Sequence, residues 1–432
     1  MSLPKPGSGA ERGSFAYNSI KDRWPRILTK IIDQLHQKHD YMVKTYGETG
    51  NSDVKDVIHQ ISRLRYLIAT DKPLEYLDTE ENDKAVWNDA IDSFKKKLGE
   101  GNVSWYKTPW LFTECYMYRL LHEFFLKSHN IKDYDPFRIE KEKGFFDSEA
   151  HLIALGTEVV KLANEGPATD LKTAISKHLQ ICLWGNKADL SLTGGDPHFM
   201  ADTLFKELDD LRGNILVDHL DQVSEFLEKL DKKGTVDIAM DNAGLEVFTD
   251  FCLATVLISQ NLASKVIFHG KAFPWYVSDV TEYDFHWTVK QTAEHKDSYL
   301  STLGKLWQSY VKKGLFEYQT GDFYTYGFPY SEMKSLSPQV YETLGKSSLL
   351  IFKGDLNYRK LVGDLHWDPT TSFKETIRGF EPTNFVSLRT CKAETVAGLS
   401  KEAYDKVAKK FGKDTTWMVS SDYAVVQSFF KN

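Results

Sequence analysis

Cysteine is scarce. The 432-residue chain carries four, and Cys115, Cys182, Cys252 and Cys391 make no CxxC pair. Each lies in an apolar or mixed context, so they read as reduced thiols, and without a His pair beside them a structural zinc site is disfavoured. Long apolar runs are missing as well. The opening "MSLPKPGSGAERGSF" has no apolar signal region, and no uninterrupted stretch approaches the ~20 residues needed to span a bilayer. These absences predict a protein with no membrane partner, placed in the cytoplasm with the nucleus as a further compartment. No excess of positive charge is present either. The formal charge of −7 and pI near 6.0 argue against a nucleic-acid surface, while leaving room for a basic pocket that takes a small anion. Three familiar enzyme motifs are absent: GxxxxGK[ST], GxSxG, and GxGxxG following a strand. The glycines of "GSGAERG" follow no strand and read as part of a flexible terminus.

What is present is ordinary for a globular protein, with 41% hydrophobic and 27% charged residues. The length exceeds what one core usually serves, so two parts are expected. From about Tyr17 to Leu179 apolar residues recur at helical spacing; Ile27, Ile31, Ile32 and Leu35 fall at i, i+4, i+5 and i+8. "PWLFTECYMYRLLHEFFLKSHN" is another such segment, with Pro109 suited to its start. Its stripe through Trp110, Tyr116, Tyr118, Phe124 and Phe125 reads as core, and this region shows no obvious acid–base cluster. After residue 230 the period changes. "KKGTVDIAMD", "SKVIFHGK", "SSLLIFKGD" and "PTNFVSLRTCK" read as buried strands, and helical stretches lie between them. The alternation predicts an α/β fold: a doubly wound, mostly parallel sheet in a three-layer α/β/α arrangement. The expected division is a helical part over 1–175 and a Rossmann-like α/β part over 176–432.

In such sheets ligands bind beyond the carboxyl ends of the strands, so the polar residues there carry the chemistry. The first of the four strands ends in Asp241 and Asn242. The second is followed by Asp279, the third by Asp355, Asn357, Arg359 and Lys360, and the fourth by Arg389, Thr390 and Lys392. Two carboxylates and an amide oxygen are hard ligands for a divalent cation. Arg359, Arg389 and Lys392 in the same crevice would favour a dianionic group such as phosphate. Metal and cations at a phosphate point to phosphoryl transfer or hydrolysis. Each residue alone has a plainer reading: Asp241 and Asp279 as helix caps, Asp355 as a local partner of Arg359 or Lys360, and Arg-Thr-x-Lys as a solvated turn. The coincidence at four strand ends favours the chemical one.

"WGNKADLS", "DNAGLEVFTD", "WYVSDVT", "FKGDLNYRKL" and "RTCKAE", in that order, resemble the metal-dependent damage-control phosphatases, and the RTxK form resembles subfamily III. That subfamily includes sugar-phosphate phosphatases also described as protein-glutamate (acidic-residue) methyltransferases. The resemblance implies that Asp241, Asn242 and Asp279 hold a divalent metal (Mn²⁺, Co²⁺, Ni²⁺ or Mg²⁺). It further implies that the segment Asp355, Leu356, Asn357, Tyr358 and Arg359, together with Lys392, contacts a small phosphorylated metabolite such as fructose 1-phosphate. Arg389 accompanies Lys392 in the last motif, and Asn186 is implied as another active-site residue. Two alternatives stay open. One is S-adenosylmethionine-dependent O-methyl transfer to protein glutamate, for which no glycine-rich cofactor turn is found; the other is a non-catalytic metal- and phosphate-binding protein.

Overall fold

The computed structural model describes residues 3–164, 168–185, 208–230, 234–412 and 414–431. Their centre is a seven-stranded sheet: β1 (Ile215–Asp218), β2 (Thr235–Ala239), β3 (Lys265–Gly270), β4 (Phe316–Thr320), β5 (Leu349–Lys353), β6 (Phe385–Thr390) and β7 (Ala424–Phe429). The order across it is β1-β7-β6-β5-β2-β3-β4, and all neighbours run parallel except β6 and β7. All four strands read from the sequence are present. The three that the sequence reading passed over are the two edges and the antiparallel β7. Edge strands β1 and β4 bury fewer residues, so their apolar runs are shorter.

Strands buried on both faces serve two cores by alternation. In β5, Leu349 and Ile351 join one core while Leu350 and Phe352 join the other. The second of these cores also takes in the N-terminal helices Trp24–Gln37, His39–Ala69, Lys84–Leu98 and Trp110–Leu126, through Trp24, Ile61, Trp87 and Tyr116. On the opposite face lie the helices Glu149–Asn164, Leu171–Trp184 and Leu245–Ser259. The N-terminal helices therefore form one cover of the sheet. No helix among the described residues is long and apolar enough to cross a membrane.

Successive strands run outward from β2 in one direction through β3 and β4, and the chain then returns to place β5 and β6 on its other side. The strand order thus reverses between β2 and β5. There the connections leave in opposite directions and a crevice opens at the carboxyl ends.

Candidate active site

Two chain segments meet in that crevice. Leaving β2, the backbone enters Asp241–Asn242–Ala243 and turns at Gly244, whose φ is 71°, into the helix Leu245–Ser259. Leaving β3, it reaches Ser278–Asp279. Backbone bonds join the two segments, from Ala243 N–H to Ser278 O at 2.7 Å and from Val280 N–H to Asp241 O at 2.9 Å. Asp241, Asn242 and Asp279 are thereby held side by side, as the sequence reading expects.

The side chains are oriented as well as gathered. The Asn242 amide donates to Asp241 Oδ2 at 2.7 Å and to Glu246 Oε2 at 2.8 Å, while Ser278 Oγ donates to Asn242 Oδ1. Glu246 is fixed in turn by buried Lys353, whose Nζ lies 3.2 Å from Glu246 Oε1 and 2.7 Å from Asp250 Oδ1. Lys271 Nζ stands 3.1 Å from Asp279 Oδ2. Burial, with Glu246 and Asp279 nearby, holds the Asp241 carboxyl well above its usual range. Asp279 is pushed up to about 6, chiefly by burial, against the opposing pull of Lys271.

Do these residues fit a metal? No group of three or more His, Cys, Asp or Glu is assembled for one among the described residues. The set here is two carboxylates and an amide. Among the described residues buried Asp279 Oδ2 meets only the Lys271 ammonium at 3.1 Å, and crowded carboxylates whose charge is disfavoured gain from a cation between them. Hard oxygens on two crowded, buried carboxylates fit a divalent ion of the magnesium or manganese kind.

A cavity of about 260 Å³ opens from this trio, lined on its other sides by Arg23, Trp110, Asp355, Leu356, Arg359 and Lys392. The helix Gly354–Val362 begins at its floor with no side-chain cap, which leaves its first N–H groups free for an anion. Gly354 lies so close to Asp241 that an added Cβ would stand 1.9 Å from Oδ2, and its φ of 81° also calls for glycine.

Four cations near the cavity differ in what is left to them. Arg359 is spent: it bonds Glu114 at 2.7 Å and Asp364 at 3.0 Å, and packs 3.8 Å over the Trp110 ring. The expectation that Arg389 faces the crevice needs correction. Its buried guanidinium is consumed by Asp355 at 2.7 Å, Thr395 O at 2.6 Å and Ala393 O at 3.1 Å, so it braces the loop that carries Lys392. By contrast, neither the Lys392 ammonium nor the Arg23 guanidinium makes a hydrogen bond or ion pair among the described residues; Arg23 lies in the field of Glu114 without direct contact. Lys392 is near enough to Asp241 to oppose the rise in its pKa.

The segment 355–359 also divides. Asp355 and Leu356 line the cavity, Asp355 accepting from Lys392 N–H at 3.0 Å. Asn357 and Tyr358 do not line it, which corrects the expectation that both touch substrate. Asn357 donates to Lys353 O at 2.8 Å and Ala239 O at 3.2 Å, tying helix to strands, and the Tyr358 hydroxyl accepts from Ala397 N–H at 3.1 Å inside the core. Asn186 lies outside the described residues.

Sequence reasoning missed Arg23, Glu114, Glu246, Ser278 and Lys271. A signal existed for Glu114: it is a single carboxylate inside the apolar run "WLFTECYMY" and is 1% exposed, which only a buried partner makes tolerable. Trp110, placed in the core by its spacing, forms part of the cavity wall.

Comparison with known proteins gives a consistent result over nearly the whole chain. The family described as damage-control phosphatase ARMT1-like domain matches residues 19–407. The protein named damage-control phosphatase ARMT1 from Xenopus laevis is 40% identical over 438 residues, covering 99% of each chain. Its namesake from Mus musculus is 38% identical over 429 residues and 97% of each chain; that from Homo sapiens is 37% identical over 436 residues and 98% of each.

Proposed function

The chain belongs to the damage-control phosphatase ARMT1-like domain family, and from that premise we propose a metal-dependent phosphatase of small phosphometabolites, with sugar phosphates such as fructose 1-phosphate as substrates. One observation carries the reading: two cations without partners among the described residues, Arg23 and Lys392, line the same small cavity as a trio of hard oxygen ligands. A phosphate monoester dianion matches that division of charge.

Asp241, Asn242 and Asp279 would hold the ion, which when bound supplies Lewis acidity and neutralises charge on the phosphoryl group. The chain's own residues do the rest. Lys392 meets the phosphoryl oxygens as a compact charge, and Arg23 offers a planar fork suited to two of them. The uncapped amides at the start of Gly354–Val362 add donors that need no reorganisation as charge builds. Water replaces the alcohol at phosphorus, giving inorganic phosphate and the free hydroxyl compound. A second cavity of about 390 Å³ shares Asn242 and Ser278 with the first and offers room for the non-phosphate part of the substrate.

The test is phosphate release from a panel of sugar phosphates by protein loaded in turn with Mn²⁺, Co²⁺, Ni²⁺ and Mg²⁺. Asp241→Ala should abolish release while far-ultraviolet circular dichroism stays unchanged, because a half-buried ligand at a strand end is lost and no packed side chain is disturbed. Undiminished release after chelation, or full activity in Asp241→Ala, would refute the site. Methylation of a protein carboxylate with S-adenosylmethionine, faster than any phosphate release, would favour the methyl-transfer alternative.

A further inference from the structure

Immediately before Ser278 and Asp279 the backbone does something costly. Tyr276 has φ 45° and Val277 φ 71°, two consecutive non-glycine residues in the left-handed region, where a β-branched residue is a true outlier. Ser278 N–H donates to Tyr276 O at 2.9 Å, which closes a three-residue turn of positive φ around Val277. Such a conformation persists only when its surroundings hold it. On one side the holding is the bonding to the Asp241–Ala243 segment. On the other it is the N-terminal helix Trp110–Leu126: the Tyr276 ring stacks on Tyr118 with centroids 4.7 Å apart, and the Tyr276 hydroxyl donates to Glu114 Oε2 at 2.9 Å. The same Glu114 carboxylate accepts from Arg359 Nη1 at 2.7 Å and from the Trp24 indole N–H at 3.4 Å. One buried carboxylate thus joins the first helical layer, the cavity wall and the strained turn.

We propose that Glu114 is a positioning residue for the metal site: through the Tyr276 hydroxyl it clamps the strained Tyr276–Val277 turn in the conformation that presents Ser278 to Asn242 and Asp279 to the metal. The N-terminal helices then set metal affinity without supplying a ligand. This rests on the metal reading given above. Relaxation of the turn toward negative φ would swing Ser278 off Asn242 Oδ1 and part Asp279 from Asp241, and the metal would bear the cost of re-forming them.

The experiment is calorimetric titration of Mn²⁺ into metal-free protein, alongside the melting temperature of that metal-free protein. Tyr276→Phe deletes only the hydroxyl and keeps the ring stack. It should weaken Mn²⁺ binding about tenfold while moving the metal-free Tm by no more than about 2 °C. A merely structural hydroxyl would do the reverse. The decisive arm is the same change in a Val277→Gly background, where the left-handed turn carries no steric penalty. There the added loss should shrink below about threefold, since nothing strained remains to be clamped. Wild-type affinity in Tyr276→Phe, or an equal loss in both backgrounds, overturns the proposal alone. Wild-type protein that takes up no Mn²⁺ overturns the metal reading and this proposal together.

Discussion

Residues of one type do different work here because their partners differ. Lys392 and Arg389 lie three positions apart in one motif, yet the first offers to the cavity an ammonium unpaired among the described residues and the second is 0% exposed and saturated with acceptors. Their variants should separate accordingly. Lys392→Ala should lower kcat/KM about a hundredfold, the usual cost of losing one preorganised donor, with stability nearly unchanged. Arg389→Ala should destabilise the fold by about 3–5 kcal/mol, since it takes the cation from Asp355 and the guanidinium donor from the Thr395 carbonyl. Steady-state kinetics and urea unfolding of both proteins check this. A stable, inactive Arg389→Ala would mean that its guanidinium reaches the substrate after all.

At the scale of elements, the junction from β5 to the helix Gly354–Val362 is the tightest joint in the site. Helix and strand meet with no intervening loop, and the glycine makes room for Asp241 from the neighbouring strand. Gly354→Ala should therefore abolish Mn²⁺ uptake and cost about 1–3 kcal/mol of backbone strain. A control isolates the clash. Gly379 has nearly the same φ, 80°, but open space around its Cβ position, so Gly379→Ala should bear the strain and keep full metal uptake. Equal uptake by the two variants would show that close approach to Asp241 does not matter. The neighbouring joint from β2 is looser, five residues from Met240 to Gly244, and that slack is what lets Asp241 and Asn242 both face the crevice.

The molecule as a whole stores an electrostatic cost where its layers converge. Lys360 is 1% exposed, and its Nζ donates to Phe323 O at 2.6 Å and Tyr326 O at 2.9 Å, with the rings of Phe323 and Tyr330 around it. No carboxylate is paired with it among the described residues, and burial lowers its pKa from 10.5 to about 7. Between about pH 7 and 10.5 the unfolded chain therefore holds a proton that the folded one has released, so stability rises with pH across that window. The slope from this one group reaches about 1.4 kcal/mol per pH unit. Below pH 7 both states are protonated and the contribution is flat. Chemical unfolding of wild type and Lys360→Met from pH 6 to 9.5 should give curves that diverge in slope above pH 7; parallel curves would contradict a neutral buried lysine.

Periodicity by itself determined the strands β2, β3, β5 and β6 and the helices between them, because strands buried on both faces must be continuously apolar and the period changes where helices begin. Strand-end polarity likewise brought Asp241, Asn242, Asp279 and Lys392 to one cavity, since in a parallel sheet those ends share one edge. Which cations at the cavity lack a partner among the described residues was decided only in three dimensions. Arg389 and Arg359 are local in sequence to the site, but the carboxylates that occupy them, Asp355 and Glu114, come from other elements. Arg23 reaches the cavity from more than two hundred residues away, on a helical layer whose spacing encodes only that it packs. A hydrophobic pattern records which face of an element is buried. It does not record against what, and here that second fact brings Arg23 to the cavity wall and Glu114 to the Tyr276 hydroxyl.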